Sequence, residues 1–410
     1  MTALSVLALT VAPVLAAPEL GFMERTELRL RNPGDAVDAE QWAGARLRLV
    51  MPRQTFSLSY LPRLSFTDVF YDVTVDLLHA AELTADFEWR KARLSFAEHA
   101  AYGTRSFTAL APAQGDVVIG NPGQRIVTVT GPVDYGSSDT TLTLTLELGR
   151  RSDLELSGGY LFDGGLDDEA KTVIPFVHGP RARVEWRYQL ARRDTLGSAL
   201  EGERLYSDDG FDDTELRSDL LRWRERWAHE WSPGTTTELS AGAALARTTA
   251  LDEGAEWFAI GSGSLSKTIR TGPNAEFLNL ETLVQVDVTI DRLVGLPDQR
   301  LDVALRGTWT RDPYTLFAGL GHTQSLRWDE PNSLVLYSGD VGARYQWTRA
   351  LMWEGGFRAA YQTVRAPTTT ATASAAEGFN WVVLVALQAQ TDSFERRRVS
   401  AADEKESEDP

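Results

Sequence analysis

The sequence predicts an all-β protein that folds as a closed antiparallel transmembrane β-barrel of about eighteen strands. Three observations lead to this prediction: long runs with alternating apolar and polar residues, tight turns between pairs of such runs, and a regular recurrence of those turns. Alternation with a period of two gives a strand one apolar and one polar face. A tight turn between two such strands makes an antiparallel hairpin.

The clearest hairpin spans residues 141–162. Four leucines alternate with threonine and glutamate up to Leu148, and the turn Arg150-Arg151-Ser152-Asp153 follows. The alternation then resumes from Leu154 to Tyr160. The same unit recurs along the whole chain, so this hairpin is the repeating element of the predicted sheet.

Tight turns recur about every 40 residues, centred near positions 53, 91, 151, 193, 233, 272, 312 and 349. Such a period is also found in β-propellers, whose blades have four short strands. Here each period holds two runs of about 10 to 15 residues, which match tilted membrane-spanning strands. Eight turns give sixteen strands, and the outer runs 24–31 and 377–390 raise the count to eighteen, with sixteen as the alternative.

The apolar face is predicted to contact lipid. In one run Leu278, Leu280, Val284, Val286, Val288 and Ile290 share a face, and polar residues share the other. Tryptophans close to the tight turns lie on the apolar face and predict an aromatic girdle at one membrane interface. These interface residues are Trp89, Trp186, Trp231, Trp309, Trp347 and Trp353. A soluble multidomain β protein is the alternative, but no further sheet or helix is predicted to cover so many apolar faces.

Residues 1–17 form an apolar segment that ends in Val14-Leu15-Ala16, which predicts a signal peptide even though it contains no Lys or Arg. The barrel is expected over 18–394, and 395–410 is expected to be a disordered, charged periplasmic tail and a contact for a partner. The bacterial outer membrane, with its lipid and lipopolysaccharide, is the predicted location. A net charge of −17 argues against a nucleic-acid partner.

Short turns face the periplasm and longer loops face outward in outer-membrane barrels. The longer connections include 32–41, 163–172 and 105–139, the long third extracellular loop. We expect residues 105–139 to fold inward as a constriction, with strand overhang above the membrane as the alternative. Acidic connections such as Asp208, Asp209, Asp212 and Asp213 are expected to be solvated in the lipopolysaccharide layer or to bridge to it through divalent cations.

Charged residues on the polar face are predicted to line an aqueous lumen. The predicted pore-lining residues are Arg183, Glu185, Arg187, Glu201, Glu203, Arg222, Arg224, Arg226, Asp287, Arg306, Arg344 and Arg358. The first eight form an Arg–Glu–Arg band across three neighbouring strands at similar depth. This band either stiffens the wall by cross-strand charge pairing or forms a charged constriction that sorts solutes or holds an anionic sugar chain.

No catalytic, cofactor or metal site is predicted. The five histidines, His79, His99, His178, His229 and His322, lie on different strands or loops without a supporting motif. The sequence has no zinc-ligand spacing, phosphate-binding loop or nucleophile elbow. An enzyme is therefore not expected.

The chain resembles bacterial outer-membrane porin-like barrels over its whole predicted mature length. The strand count, the length and the missing periplasmic domain are similar to those of the stand-alone barrels that serve exopolysaccharide secretion. That resemblance implies a passive, water-filled conduit for a polysaccharide, working with a periplasmic export protein. The alternatives are a general or substrate-selective diffusion porin for small solutes, and a structural or adhesive barrel with a plugged lumen.

Overall fold

A computed structural model of the chain describes residues 18–32, 36–70, 73–106, 132–208, 216–249, 254–272, 276–291, 295–327, 333–364 and 378–391. The predicted signal peptide (1–17) and charged tail (395–410) lie outside these residues, as does most of the long third loop (107–131).

Nineteen strands and one short helix, α1 (Asp168–Val173), make up the described fold. The first ten strands are β1 (Glu19–Asn32), β2 (Ala36–Met51), β3 (Gln54–Tyr60), β4 (Arg63–Thr67), β5 (Thr74–Trp89), β6 (Ala92–Ser106), β7 (Pro132–Gly149), β8 (Ser152–Gly165), β9 (Phe176–Ala191) and β10 (Asp194–Asp208). The others are β11 (Leu216–Ser232), β12 (Thr235–Thr248), β13 (Glu256–Gly272), β14 (Glu276–Ile290), β15 (Pro297–Arg311), β16 (Tyr314–Ser325), β17 (Leu334–Thr348), β18 (Leu351–Val364) and β19 (Gly378–Gln390).

β3 and β4 occupy one position in the sheet, because both pair with β2 on one side and with β5 on the other. The interruption falls at Leu61 and Pro62. Proline has no backbone N–H to give to the ladder, so the chain breaks its regular pairing there. Counting the two pieces as one strand gives the eighteen strands that the sequence predicts.

The sheet closes on itself because β1 pairs with both β2 and β19. The closing ladder runs from Met23 opposite Gln390 to Asn32 opposite Trp381. Every pairing in the ring is antiparallel, and each remaining strand pairs with its neighbours in sequence order. The prediction of a closed, all-β antiparallel barrel is confirmed.

The exposed fractions of the side chains show that the outer face of the barrel is apolar and that the inner face is polar. In β1, Leu28 is 54% exposed and Leu30 is 42% exposed, whereas the alternating Glu27 is only 3% exposed. This pattern is the reverse of that in a water-soluble sheet, whose apolar face is covered and whose polar face is open. The polar faces of the strands therefore point into the lumen, where they pack against one another.

Eight connections of two or three residues lie at one end of the barrel, at the positions that the sequence predicts. The strands at the other end reach further than expected. β2 begins at Ala36, so most of the predicted loop 32–41 is strand, and β7 begins at Pro132, so 132–139 belongs to the wall. In both places the antiparallel pairing with the preceding strand continues beyond the length needed to span a membrane.

α1 lies in the connection between β8 and β9. Asp167 caps its N-terminus, where the carboxylate accepts a hydrogen bond from the backbone N–H of Ala170. Lys171 Nζ donates to Asp208 Oδ2 at 2.8 Å, and this hydrogen bond raises the pKa of Lys171. Asp209, Asp212 and Asp213, for which cation bridging was the alternative, lie outside the described residues.

No helix in the described part of the chain is long and apolar enough to cross a membrane.

Candidate channel lumen

Ten charged residues lie side by side on the inner face of the wall. We call them the charged band: Arg183, Glu185, Arg187, Glu201, Glu203, Arg222, Arg224 and Arg226 on β9, β10 and β11, with Glu238 on β12 and Asp287 on β14. Their position follows from the register. Val184 and Trp186, which alternate with the β9 members, are 44% and 42% exposed on the outer face. The band members therefore point inward.

At the end of the band nearer the short turns, the carboxylates of Glu185 and Glu238 pair with arginines. Glu185 accepts a hydrogen bond from Arg183 in its own strand and lies 3.5 Å from Arg226 Nη1. Arg226 Nη2 donates to Glu238 Oε2 at 2.5 Å. Arg187, at the edge of the band, lies 3.0 Å from Glu155 on β8. Arg187 and Arg226 thus meet a carboxylate from a neighbouring strand, which is the cross-strand pairing that the sequence predicts as one alternative, whereas Arg183 pairs within its own strand.

Arg222 is the centre of the band. Its Nη1 atom lies 3.0 Å from Glu201 Oε1 and 3.6 Å from Glu203 Oε2. Its Nε atom lies 3.5 Å from Asp287 Oδ1, and Arg224 Nη2 lies 2.5 Å from Asp287 Oδ2. Asp287 belongs to β14, three strands away from β11, so these contacts cross the inner face instead of following the ladder.

Asp287 reaches the band because the last residues of β14, from Asp287 to Ile290, leave the wall. The pairing of β13 with β14 ends at Gly261 opposite Val286, although β13 continues to Glu256 and β14 to Ile290. From Asp287 onward β14 pairs only with β15, and together they form what we call the inward hairpin, whose described residues are 287–291 and 295–297. Arg222 Nη2 donates to the carbonyl oxygen of Val288 at 2.8 Å, which fixes the hairpin to β11.

A small apolar cluster on the inner face holds the inward hairpin. Val288 is fully buried against Leu220, Ala244, Ala246, Phe258 and Ile260, which come from the inner faces of β11, β12 and β13. The sequence alternation predicts Val288 and Ile290 on the lipid-facing side, and that prediction is wrong. The strand bends after Val286, so the apolar side chains above the bend pack inside the lumen.

One polar contact completes the attachment of the hairpin, and a second joins the neighbouring ends of β16 and β13. Ser218 Oγ on β11 donates to the carbonyl oxygen of Gly295 at 2.9 Å, where Gly295 has a φ of 65°. Arg327, beyond the end of β16, lies 2.8 Å from Glu256 Oε1, and its guanidinium carbon is 4.9 Å from the ring centre of Phe258. The hairpin is therefore held against β11, β12 and β13 by hydrogen bonds and by burial.

Below the hairpin the band borders a recess of about 240 Å³. Its polar lining consists of Arg183, Glu201, Arg222, Arg224, Arg226, Glu238, Ser240, Ser262, Ser264 and Gln285. Ser240 and Ser262 hydrogen-bond to each other at 2.7 Å across the β12–β13 pair. The recess thus offers guanidinium donors, carboxylate acceptors and hydroxyl groups that serve as both.

A second set of charges, which we call the buried network, fills the inner face on the opposite side of the ring. It comprises Arg25, Glu27, Arg29, Glu40, Arg63, Arg344 and Glu354, from β1, β2, β4, β17 and β18. Arg29 donates to both carboxylate oxygens of Glu40, at 2.6 and 2.9 Å. The guanidinium of Arg25 lies 5.2 Å from the ring centre of Trp42. The sequence predicted only Arg344 of this network as a lumen residue.

The remaining predicted pore-lining residues lie on the same inner face, away from the band. Arg306 is opposite Glu281 in the β14–β15 register, and Arg358 is opposite Asp340 in the β17–β18 register. Arg344 Nε lies 3.2 Å from Glu354 Oε2. A role of any of these residues in permeation stays a prediction.

The predicted girdle tryptophans lie on the outer face, near the short turns. Trp89, Trp231 and Trp347 are each more than half exposed, and Trp186 and Trp353 are exposed to a lesser degree. Trp309 is half-buried opposite Leu278. Indole N–H groups find neighbours in the wall, since Trp186 Nε1 donates to Ser152 Oγ at 2.8 Å and Trp231 Nε1 to Thr237 Oγ1 at 2.9 Å.

A second aromatic belt, which we did not predict, surrounds the other end of the outer face. Its members include Tyr60, Tyr102, Tyr160, Tyr206, Trp257, Tyr337, Tyr361 and Phe379. Three of the unassigned histidines belong to it. His79 and His178 share hydrogen bonds with Tyr60 and Tyr160 at 2.6 and 2.7 Å, and His322 stacks on Tyr337. In the sequence these aromatic residues occupy outward-facing positions of the alternation, at the strand ends away from the short turns. That pattern could have predicted the belt.

Comparison with solved structures places the fold among bacterial outer-membrane barrels. The FrpB iron transporter from Neisseria meningitidis (F5-1 variant) matches with a TM-score of 0.52 at 10% identity, over 88% of this chain and 67% of that chain. Its apoprotein form matches with a TM-score of 0.53 at 9% identity, over 88% and 66%. The chain thus spans about two thirds of the length of that transporter.

The outer membrane protein opdK from Pseudomonas aeruginosa matches with a TM-score of 0.46 at 9% identity, over 91% of this chain and 98% of that chain. No curated protein sequence matches the chain significantly. A family model, the EpsX exopolysaccharide export family, matches residues 45–259, which is more than half of the 410 residues. The chain is therefore an outer-membrane channel of the bacterial envelope and belongs to the EpsX exopolysaccharide export family.

Proposed function

We propose that the barrel is the outer-membrane conduit of a polysaccharide export system, through which the polymer moves passively from the periplasm to the cell surface. Membership of the EpsX exopolysaccharide export family supports this proposal. The closed wall supplies the pathway, since a ring of paired strands separates a polar lumen from lipid.

The observation that carries the proposal is the chemistry of the recess below the inward hairpin. Guanidinium groups of Arg183 and Arg226, the carboxylate of Glu238 and the hydroxyl groups of Ser240 and Ser262 border the same space. A polysaccharide presents many hydroxyl groups and, when acidic, carboxylates. The recess matches these groups with donors and acceptors, whereas an apolar slot would leave them without hydrogen bonds.

The arrangement also suits movement. Conduction requires binding that is favourable enough for entry and weak enough for release. In the charged band each arginine already has a carboxylate partner, so a passing sugar exchanges one hydrogen bond for another. Arg226, with 40% of its side chain exposed, and Arg183, also 40%, are open enough for such exchange.

A periplasmic export protein is the partner that we propose. It would deliver the polymer at the short-turn end of the barrel, which faces the periplasm in this class. Eight connections of two or three residues leave that mouth uncovered by long loops.

The decisive experiment is an in-frame deletion in the source bacterium, scored for polymer on the cell surface and for polymer retained in the periplasm. We expect surface polymer to fall and periplasmic polymer to accumulate, and the wild-type gene to restore export. A double variant, Arg183→Gln with Arg226→Gln, should restore the folded barrel but export less. Unchanged surface polymer after deletion would refute the proposal.

Two further measurements separate the alternatives. A diffusion porin predicts reduced uptake of small solutes after deletion, with surface polymer unchanged. A plugged structural barrel predicts no conductance in planar bilayers, whereas the proposed conduit predicts a steady conductance from the purified chain.

A further inference from the structure

A cluster of charged residues lies on the outer face of the barrel, where a lipid-exposed wall would be expected to be apolar. Its members are Arg204 on β10, Arg217 and Asp219 on β11, and Arg247 on β12. We call it the outer arginine cluster. Leu221 and Trp223, which continue the same face of β11 towards the membrane centre, are 43% and 48% exposed. Because alternate residues share a face, Arg217 and Asp219 also point outward.

The register brings the cluster together across three strands. Asp219 is directly opposite Arg204 on one side and Arg247 on the other. Arg204 Nε donates to Asp219 Oδ1 at 2.5 Å, and Arg217 Nη2 donates to Asp219 Oδ2 at 2.7 Å. Both oxygens of the single carboxylate are thus engaged by two arginines, and Arg247 is a third cation beside them.

Among the residues that the structure describes, charge pairing within the wall does not account for this composition. One carboxylate neutralises one arginine, so three arginines and Asp219 leave two positive charges in a chain whose net charge is −17. The side chains of Arg204 and Arg217 are 43% and 42% exposed, and Arg247 is exposed. Each guanidinium has five N–H donors, of which Asp219 and, for Arg204, the side chain of Tyr206 use only part.

The cluster lies at the boundary between lipid and the loops. One step towards the membrane centre, the register aligns Leu221, Leu245 and Trp257, which form an apolar row. One step the other way, Arg217 is opposite Tyr206, a member of the second aromatic belt. This end carries the longer connections and therefore faces the cell exterior. The arginines are thus at the height of the headgroups of the outer leaflet.

We propose that the outer arginine cluster binds the phosphate groups of lipopolysaccharide. The charge of the cluster complements an anionic headgroup, and the apolar row below it complements acyl chains. Arginine favours phosphate because its planar fork forms paired charge-assisted hydrogen bonds. The site is independent of the lumen and of polysaccharide export, since its side chains lie on the other face of the sheet.

The test uses the full chain in detergent and measures retention of lipid A by native mass spectrometry. Lipid A with both phosphates, lipid A stripped of phosphate, and inorganic phosphate are compared as probes. The triple variant Arg204→Gln, Arg217→Gln, Arg247→Gln should weaken binding of phosphorylated lipid A by about tenfold or more, because several charge-assisted hydrogen bonds are lost. The single variant Arg247→Gln, at an exposed position, should lower affinity less and leave folding intact.

Matched controls are Lys267→Gln and Arg311→Gln, outward-facing cations in the half of the wall nearer the short turns. These variants should bind phosphorylated lipid A as the wild type does. Equal binding by the triple variant, or equal binding of the stripped lipid by the wild type, would overturn the proposal. Inorganic phosphate that displaces lipid A at similar concentration would also overturn it, because the site would then recognise a free anion.

Discussion

The two charged regions of the lumen contain the same residue types, but they differ in burial where the charged band borders the recess. In the buried network, the Arg29 and Glu40 side chains are 7% and 5% exposed. In the charged band, the Arg226 and Glu238 side chains are 40% and 32% exposed. Arginine–glutamate pairing across strands is therefore common to both regions, but the band borders the recess and has half-exposed pairs beside its buried members.

The difference shows that a lumen-facing charge does not by itself make a transport residue. A buried charge has lost its hydration and depends on its partner, whereas a half-exposed charge is still solvated. We infer that the buried network fixes the shape of the barrel next to its closing strands, and that the charged band interacts with what passes. The first prediction compares these two roles directly, and the others test the lumen on the side of the charged band.

The largest expected effect is on stability, from Glu40→Gln in the buried network. This change removes the buried carboxylate that accepts two hydrogen bonds from Arg29 and one from Arg63, and it leaves Arg29 with the carboxylate of Glu27. Removing one partner of a buried ion pair costs about 3–5 kcal/mol of unfolding free energy. This loss of unfolding free energy can be measured by urea unfolding of the purified barrel, monitored by tryptophan fluorescence.

The matched control for that measurement is Glu238→Gln in the charged band. Because the Arg226–Glu238 pair is half-exposed, we expect the free energy of unfolding to fall by less than about 1 kcal/mol. Equal losses at the two positions would contradict the division of the lumen into a structural and a solvated region.

The next effect concerns the aperture and comes from Val288→Asp. Val288 has no exposed surface, and its place in the cluster with Leu220 and Phe258 stabilises the inward hairpin by about 1.5–3 kcal/mol. A carboxylate there should release the hairpin, so single-channel conductance in planar bilayers should rise. Val284→Thr, on the lipid-facing side of the same strand, is the control. Unchanged conductance for Val288→Asp would show that the hairpin does not limit the opening.

The smallest effect is on ion selectivity, from Arg224→Gln. A unit charge about 8 Å from a passing ion in water contributes about 0.5 kcal/mol, or about a twofold change in partitioning. Loss of Arg224, whose Nη2 atom lies 2.5 Å from Asp287, should shift the reversal potential towards cation preference. Lys267→Gln, on the outer face, should not shift it. An unchanged reversal potential would place Arg224 away from the ion path.

The sequence predicts the architecture well because period-two alternation and turn residues are local signals. The alternation of β9, for example, puts Arg183 and Glu185 on one face and Val184 and Trp186 on the other, as in the structure. The positions of the short turns and the closed ring follow from the same signals. The long-loop strand ends were less predictable, since pairing above the membrane needs no apolar face.

The inward hairpin was not predictable, because the alternation continues through the bend at Val286. Nothing in the spacing of Val284, Val286 and Val288 distinguishes a side chain that meets lipid from one that packs inside. That distinction depends on Leu220 and Phe258, which are distant in sequence. The sequence also does not predict that the charged residues of the buried network pack together, because the burial of an inward-facing charge depends on which strands lie across the lumen from it.

The ladder between β1 and β19 has a consequence for assembly. Its partners, such as Leu28 and Val385, are separated by almost the whole length of the chain. Hence the ring cannot be completed until the last strand has been synthesised and exported, and a shortened chain would present two open edges to aggregation. Thr391 strengthens this late join by hydrogen-bonding to the backbone of Phe22 through its N–H at 2.9 Å. Correct assembly of the barrel thus depends on the pairing of β19 with β1.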